Sequence, residues 1–303
     1  METVLSIQKL TKNFGKLCAV NQIDFEVKRG QVFGMLGPNG SGKTTTLGML
    51  MGVTNPTSGS FTWFGEPPTN KQRKKIGAVL EHPIFYPYLS GQQNLELMAL
   101  IKEAPVANIT KVLGLVDLAG RRHDKYKTYS LGMKQRLAIA SALLNDPVVL
   151  ILDEPTNGLD PMGIAEIREI IKKISNDGKT IILASHLLDE VQKVCSHFAV
   201  LRKGTLVHYG PVDDVGKGEE IVEVLAYHDD LALILGSFQG AENVKKDLHQ
   251  YLVKMKDGFH SQDLNRYLFE KGIVANHLVT QKKSLEKQFL EILAEADAAL
   301  IKN

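Results

Sequence analysis

Short apolar runs recur through the first two thirds of the chain, and helix-like stretches separate most of them. Runs that are short and apolar throughout are typical of strands buried on both faces. Their alternation with helices predicts an α/β fold around a parallel sheet. The runs are Val32–Leu36, Ile76–Leu80, Val148–Leu152 and Ile181–Ala184.

Two other patterns complete this part of the chain. Apolar and polar positions alternate from Val4 to Ile7 and again at Ile23, Phe25 and Val27, which predicts strands with one face in water. Helical spacing dominates residues 88–145, so we expect a helical subdomain there. Two helices and a hairpin are predicted at Asn94–Lys102, Gln135–Leu144 and 198–208.

A cluster of turn residues after Gly210 predicts a boundary between a domain at 1–215 and another at 216–303. The second segment is long enough to bury a core of its own. Its pattern predicts a small α+β domain in which Gly272 ends a helix. The predicted elements are strands at Ile221–Leu225, Tyr251–Met255 and Ile273–Val279, a helix at Ser261–Lys271, and a final amphipathic helix through Leu285, Phe289, Ile292 and Leu293.

Composition and charge exclude several classes of protein. The 303 residues are 44% hydrophobic and carry a net charge of +2, so the chain is not disordered as a whole and does not demand nucleic acid as a partner. The two cysteines, Cys18 and Cys195, are typical of a reducing compartment and do not indicate a metal site. No run approaches the roughly 18 apolar residues of a membrane span. We therefore expect any function at a membrane to be peripheral.

The residues after the first apolar run match the pattern GxxxxGK[ST] at every fixed position. Glycines let backbone N–H groups turn toward phosphate oxygens, and the next helix presents its positive end to the same anion. Lys43 is expected to reach the β- and γ-phosphates, and Thr44 to complete a magnesium shell. A glycine-rich turn without a ligand is the alternative. The predicted nucleotide-binding residues are Gly37, Pro38, Asn39, Gly40, Ser41, Gly42, Lys43, Thr44 and Thr45.

Two acidic residues follow the apolar run Val148–Leu152. A buried strand that ends in a carboxylate is suited to hold Mg²⁺ at its carboxyl edge, which is the role predicted for Asp153. Glu154 is placed to accept a proton from an attacking water molecule. The alternative is a pair of exposed loop carboxylates, which the preceding apolar run disfavours.

With these motifs and the ones after them, residues 1–215 resemble the ATPase subunit of an ABC transporter. The segment Tyr129–Gln135 resembles the family signature LSGGQ. Ser130 and Gly132 are retained, and the resemblance implies that they contact the γ-phosphate. From the residues alone, Ser130 is a good N-cap for the helix predicted after it. The segment departs from the signature at Tyr129, Leu131 and Met133.

Three more positions take their roles from the same resemblance. Asp160 ends a segment that resembles the D-loop, and His186 resembles the switch histidine that contacts the γ-phosphate. Phe14 aligns with the aromatic residue that stacks on adenine. Taken alone, His186 would be a structural histidine and Phe14 a core aromatic. With the resemblance, Lys43, Glu154 and His186 form the predicted catalytic set.

One departure distinguishes a branch of the family. Glu81 stands where most members carry a glutamine that senses Mg²⁺, and this resembles the branch that exports bacitracin and lantibiotics. The segments Phe85–Gly91 and Asn94-Leu95 resemble that branch as well. We expect Glu81 to ligate Mg²⁺ with Thr44 and Asp153, which would strengthen metal dependence because carboxylate oxygen is a hard ligand. A solvated glutamate without this role is the alternative.

The resemblance implies a complete functional description. The fold is a P-loop NTPase cassette with a RecA-like core, a helical subdomain and an antiparallel β subdomain, followed by the α+β domain. The activity is ATP hydrolysis with Mg²⁺, coupled to transport, and export is the expected direction. The partners are a second cassette, as a homo- or heterodimer, and integral-membrane permease subunits. We place the permease contact at the aromatic and proline-rich segment 82–95, and an ordinary loop packed on its own domain is the alternative. The location is the cytoplasmic face of the membrane, and no nucleic acid is expected.

Two other functions remain open at this stage. A soluble ABC-type ATPase acting on nucleic acid or ribosomes has its best support in the basic run Lys71–Lys75. A P-loop kinase would leave Ser130, Gly132 and Asp160 without a task. The tail at 284–290 resembles that of exporter-type ATPases, and it indicates no chemistry of its own.

Overall fold

The computed structural model describes residues 2–80, 84–214, 220–247 and 250–282, together with 289, 293 and 294. Contacts between Cα atoms divide the chain into two compact units, 1–212 and 213–303. The boundary predicted between residues 215 and 216 falls outside the described residues and stays a prediction. No helix in the described ranges is both long and apolar enough to cross a bilayer.

The first unit alternates strands and helices in the way the apolar runs predict. Its elements, in chain order, are β1 (Thr3–Phe14), β2 (Leu17–Lys28), β3 (Val32–Leu36), α1 (Lys43–Leu50), β4 (Ser58–Trp63), α2 (Asn70–Arg73), β5 (Ile76–Val79), α3 (Gly91–Ile101), α4 (Asn108–Leu115), α5 (Leu131–Leu143), β6 (Val149–Asp153), α6 (Pro161–Asn176), β7 (Thr180–Ser185), α7 (Leu188–Val194), β8 (His197–Arg202) and β9 (Thr205–Pro211).

A six-stranded sheet carries the site. Its strand order is β5-β6-β7-β3-β8-β9, and every pair of neighbours is parallel except the hairpin β8–β9. Every residue of β3, β6 and β7 is buried, because each strand is covered on both faces. The carboxyl ends of parallel strands meet at one edge, so the chain segments that follow β3, β6 and β7 converge there.

A second sheet, of order β2-β1-β4, is antiparallel. The inward residues of β1 and β2 pack with residues of β3 and β6 in one hydrophobic cluster that includes the fully buried Trp63. This confirms the alternating pattern predicted for both long strands. The sheet stabilises the strand that leads into the glycine-rich loop.

The helices α3 and α5 begin earlier than their apolar spacing predicts, because each has a serine N-cap. Ser90 forms a capping box with Gln93, in which each side chain bonds the other residue's backbone N–H. The Ser130 hydroxyl accepts a hydrogen bond of 3.2 Å from the Met133 N–H and starts α5. The N-cap predicted for Ser130 is confirmed.

The second unit has the order β-α-β-β-α-β. Its four antiparallel strands lie in the order β11-β12-β10-β13, which with the two helices gives a ferredoxin-like arrangement. The fully buried side chains of Val222, Val253 and Leu264 belong to its core. The elements are β10 (Glu220–Leu225), α8 (Leu231–Gly236), β11 (Ala241–Asp247), β12 (Gln250–Met255), α9 (Ser261–Glu270) and β13 (His277–Lys282).

One predicted strand of this unit is wrong in its first half. The pattern predicts a strand at Ile273–Val279, whereas β13 begins at His277. Gly272 ends α9 with a φ of 74°, and the Ile273 N–H donates to the Leu268 carbonyl at 2.9 Å in a Schellman turn. Ile273 is apolar because it packs into the core at that turn. Most of the predicted final helix lies outside the described residues.

Candidate nucleotide-binding site

The loop between β3 and α1 has the glycine geometry of an anion cradle. Gly40 and Gly42 have φ values of 76° and 107°, in the left-handed region that favours glycine. A Cβ on Gly42 would lie 2.6 Å from the Ala19 carbonyl oxygen, and one on Gly37 would lie 2.4 Å from the Leu201 carbonyl oxygen. The loop therefore cannot form with larger residues at these positions.

The start of α1 offers donors for an anion. No side chain caps this helix, so its first N–H groups are available to a ligand. The Ser41 hydroxyl is buried and has no hydrogen-bond partner among the described residues. Donors without acceptors, at the positive end of a helix, fit the phosphate groups of a nucleotide.

Lys43 places its charge inside this loop. Its side chain is 5% exposed, and its ammonium donates to the carbonyl oxygens of Gly37 at 2.7 Å and Pro38 at 3.3 Å. The same nitrogen lies 3.2 Å from Glu154 Oε1. A buried lysine held by carbonyl oxygens and one carboxylate is suited to receive a stronger anion.

The carboxylates after β6 lie where the sequence predicts. Asp153 is the last, buried residue of the strand. Glu154 follows with a φ of 47°, a conformation that costs a non-glycine residue about 1–3 kcal/mol. Its N–H donates to the Ala184 carbonyl at 2.9 Å, which fixes the turn.

His186 completes a group of three side chains. Its Nδ1 lies 2.7 Å from Glu154 Oε2, and its backbone N–H donates to the same oxygen at 3.3 Å. Lys43 contacts the other carboxylate oxygen. The structure thus brings the three predicted catalytic residues together, with Glu154 between Lys43 and His186.

The metal ligands are placed less completely. Among the described residues, no group of three or more His, Cys, Asp or Glu side chains could hold a metal ion by itself. Mg²⁺ bound with a nucleotide usually takes only one or two carboxylates from the protein and uses phosphate oxygens and water for most of its other positions. The buried carboxylate of Asp153 and the exposed hydroxyl of Thr44 fit that requirement. Glu81 lies outside the described residues.

Ser130 and Gly132 lie in a second group with the turn before α6. Asp160 caps α6 by accepting from the Gly163 N–H at 2.8 Å. A Cβ on Gly158 would lie 3.3 Å from Leu131 Cδ2. Within the described part of the chain, no hydrogen bond or ion pair joins Ser130 or Asp160 to the glycine-rich loop.

The departures from the family signature have structural reasons. Tyr129 is buried, its hydroxyl donates to the Arg121 carbonyl at 2.8 Å, and a Cβ on Gly91 would lie 2.2 Å from that hydroxyl. Met133 is buried on the inner face of α5. Leu131 is exposed and touches the Gly158 turn. Tyr129 and Met133 are therefore core residues of the helical region.

Phe14 ends β1 with about half of its surface exposed. The Lys12 ammonium lies 4.9 Å from its ring centroid. An exposed aromatic ring can stack on a base. Its role toward adenine stays a prediction.

Glu190, on α7, is a buried carboxylate that the sequence does not single out. It accepts hydrogen bonds from the hydroxyls of Thr156, two residues after Glu154, and Ser185, immediately before His186. No motif spacing distinguishes it from the neighbouring Asp189, which is exposed. Burial, together with the Glu190 charge, raises the pKa of the Cys195 thiol, which keeps that thiol protonated.

Known proteins share this arrangement. A protein-family model described as ABC transporter matches residues 20–157. The bacitracin transport ATP-binding protein BcrA of Bacillus licheniformis is 35% identical over 97% of this chain and 98% of its own length. The chain belongs to the ABC transporter ATP-binding family.

Other ABC proteins agree with this assignment. YhcH of Bacillus subtilis, an uncharacterized ABC transporter ATP-binding protein, is 46% identical over 71% of this chain and 72% of its own length. The lantibiotic transport ATP-binding protein SrtF of Streptococcus pyogenes is 39% identical over 67% of this chain and 89% of its own. The solved structure of cbiO1 from Clostridium perfringens, part of the ABC transporter complex cbiONQ, is 30% identical. It superposes with a TM-score of 0.66 and covers 72% of this chain and 92% of cbiO1.

Family membership confirms the central predictions. The chain is the ATP-binding subunit of an ABC transporter and an ATPase, and its catalytic unit has the α/β P-loop cassette fold. The resemblance to ATP-binding proteins of bacitracin and lantibiotic transport is confirmed as well. Such subunits act with membrane permeases, and the kinase and nucleic-acid alternatives have no support in these comparisons.

Proposed function

We propose that this ABC ATPase drives export through separate permease subunits, at the cytoplasmic face of the membrane, using Mg²⁺ and a second cassette. The observation that carries the catalytic part is the contact of Glu154 with both Lys43, at 3.2 Å, and His186, at 2.7 Å. A carboxylate held between a lysine ammonium and a histidine beside a phosphate loop is suited to hydrolysis.

The contacts support a separate task for each residue. Lys43 neutralises the β- and γ-phosphates, and the loop N–H groups hold their oxygens. When a phosphate takes the Lys43 ammonium, Glu154 loses that partner and keeps His186. Its carboxylate then accepts a proton from the attacking water while His186 holds the turn in place.

Mg²⁺ would be held by Thr44, Asp153 and Glu81, and it would supply positive charge to the phosphate oxygens. Removal of the metal with EDTA should stop hydrolysis. A Glu81→Gln variant should need more Mg²⁺ for half-maximal turnover, because a neutral amide is a weaker ligand than a carboxylate. An unchanged Mg²⁺ titration would remove Glu81 from the ligand set.

The position of Ser130 and Asp160 supports a second cassette. Their segments adjoin each other, since a Cβ on Gly132 would lie 3.9 Å from Leu159 Cδ2, and no described bond links Ser130 or Asp160 to the chain's phosphate loop. A second chain arranged head to tail would bring its Ser130 and Gly132 to this loop. ATP then lies in the interface, and its hydrolysis removes the charge that holds the interface closed.

Sedimentation of the full chain tests this pairing. ATP should convert the Glu154→Gln variant into a stable dimer, because that variant keeps ATP without cleaving it. A double variant that adds Ser130→Arg should stay monomeric while it still binds ATP. If ATP does not change the oligomeric state of either variant, the proposed pairing of two cassettes is contradicted.

The loop before α3 supports a permease contact. Ile84, Tyr86 and Tyr88 are exposed, although large apolar residues are usually covered. The buried side chain of Asn94 holds the loop by accepting from the Tyr86 N–H at 2.8 Å and donating to the Tyr86 carbonyl at 3.1 Å. The exposed rings are therefore fixed on the surface, where a membrane subunit could bind them.

Relatives of this chain include ATP-binding proteins of bacitracin and lantibiotic transport, which supports a peptide antibiotic as the exported molecule. Cells that lack the chain should become more sensitive to such peptides. The wild-type gene should restore growth, and a Glu154→Gln gene should not. Equal growth of all three strains with both peptide classes would contradict peptide export and leave the ATPase activity unaffected.

A further inference from the structure

Glu190 is a charged residue inside the protein without a place in the mechanism described above. Only 2% of its surface is exposed. Its Oε2 accepts a hydrogen bond of 2.6 Å from the Ser185 hydroxyl, and its Oε1 accepts one from the Thr156 hydroxyl. Both hydroxyls are buried as well. Each carboxylate oxygen therefore has one protein donor.

The two hydroxyls belong to the two turns that carry Glu154 and His186. Thr156 lies two residues after Glu154, and Ser185 lies immediately before His186. The link continues to the phosphate loop, because the Gly37 N–H donates to the Ser185 carbonyl at 3.3 Å. Glu190 thus joins the turn of the proposed base, the turn of the histidine and the loop that receives phosphate.

Stability does not explain the charge. A carboxylate taken out of water costs several kcal/mol, and well-packed apolar residues often replace buried charges without loss. A carboxylate can accept from both hydroxyls at once, one on each oxygen, without a donor of its own that would need a further partner. The residue type thus follows the need to join two turns.

We propose that Glu190 is a positioning residue, which clamps Thr156 to Ser185 and thereby keeps Glu154 and His186 in contact when a nucleotide separates Glu154 from Lys43. The inference rests on the roles proposed above for Glu154 and His186. Glu190 acts through these neighbours and does not touch the nucleotide.

Turnover and ATP binding of the full chain give the first test. Glu190→Ala should lower kcat by about 10²-fold with little change in KM, because a misplacement near 1 Å can cost that much. Glu190→Gln keeps one acceptor oxygen and the side-chain volume, so it should recover part of the loss. Asp189→Asn is the matched control, since Asp189 is the adjacent, exposed carboxylate of the same helix. It should leave kcat unchanged.

Amide hydrogen exchange of the nucleotide-free chain gives a second readout. The His186 N–H is held by Glu154 and the Leu187 N–H by the Ser185 hydroxyl, at 3.0 Å. Glu190→Gln should speed exchange at these two amides and leave the amides of α7 protected. Faster exchange throughout α7 would indicate a purely structural role and overturn the proposal.

A double-mutant cycle separates this inference from the proposed function. In a His186→Ala background, Glu190→Gln should add little further loss of kcat, because both changes act on one contact. If the fold-losses of kcat in the two single variants multiply in the double variant, the proposed clamp is wrong. If Glu154→Gln and His186→Ala themselves kept normal turnover, the proposed catalytic roles would fail. If those two lose turnover and Glu190→Ala does not, only the clamp fails.

Discussion

Among the described residues, each unit contains a short glutamate–histidine pair, and the second unit also contains a longer one, between His277 Nε2 and Glu223 Oε2 at 3.5 Å. Glu154 and His186 lie 2.7 Å apart, and Glu220 and His260 lie 2.9 Å apart. The exposed fraction is 35% for the His186 side chain and 70% for that of His260. The same chemical contact thus appears in a half-buried and in an open setting.

Their surroundings differ more than the pairs themselves. Glu154 is also bound to the buried Lys43, at the carboxyl edge of a parallel sheet. Glu220, on an antiparallel strand, additionally accepts from the Ser261 N–H and the Thr280 hydroxyl. All buried polar side chains among those residues belong to the first unit. A glutamate–histidine pair therefore indicates chemistry only where a buried charge and a ligand cradle adjoin it.

The largest effect is expected from removing each carboxylate in turn. Glu154→Gln should lower turnover by roughly 10²–10⁴, the usual contribution of a general base, while ATP binding persists. Glu220→Gln is the matched control and should keep wild-type turnover. Steady-state ATPase assays with a nucleotide-binding measurement check both. If the two variants have equal turnover, the claim that only the Glu154–His186 pair takes part in catalysis is wrong.

A smaller effect is expected from a substitution in the core of the second unit, which should lower the stability of that unit without changing the ATPase activity of the first. Leu264→Ala removes a fully buried leucine beside the Glu220 pair and should cost about 2–5 kcal/mol of unfolding free energy. The activity should persist below the unfolding temperature. Phe269→Ala, on the exposed face of the same helix, should cost little.

The chain itself supplies the probe for this experiment. Trp63 is its only tryptophan and lies in the core of the first unit. Leu264→Ala should shift the transition seen by far-ultraviolet circular dichroism and leave the fluorescence transition in place. If both transitions move together, the units unfold as one and the proposed division into two domains is wrong.

The smallest effect is the pH dependence of the exposed pair. Burial by itself raises the pKa of Glu220, but hydrogen bonds from His260 and Ser261 outweigh it and hold the pKa below its usual 4.5. The Glu220 carboxylate raises the pKa of His260 above 6.5. The ion pair therefore stabilises the folded protein at pH values between the pKa of Glu220 and the pKa of His260. This contribution is lost as pH rises through the His260 pKa, or falls through that of Glu220.

His260→Gln should therefore lower the unfolding midpoint at a pH of about 5.5 and have less effect near about 8.5. Thermal unfolding followed by circular dichroism measures the difference. Glu220→Gln should give the same pH dependence, because it removes the other partner. A loss that is constant with pH would assign the effect to packing.

The sequence predicts the parts of the site that depend on fixed spacing. The glycine-rich loop and Asp153-Glu154 follow apolar strands directly, so local chemistry identifies them. The contact of Lys43 with Glu154 depends on strand order, since β7 lies between β3 and β6, and no local pattern encodes that order. Glu190 and Asp189 are acidic neighbours, and only the packing of α7 shows which one is buried.

The left-handed backbone of Glu154 has an evolutionary consequence. Glycine or asparagine would adopt a φ of 47° with less strain, but either residue would leave the buried Lys43 ammonium without its carboxylate partner. The two effects oppose each other, so a laboratory selection for heat resistance alone should not favour a replacement at this position. The glutamate can therefore be kept for its proposed role in turnover without a large loss of stability.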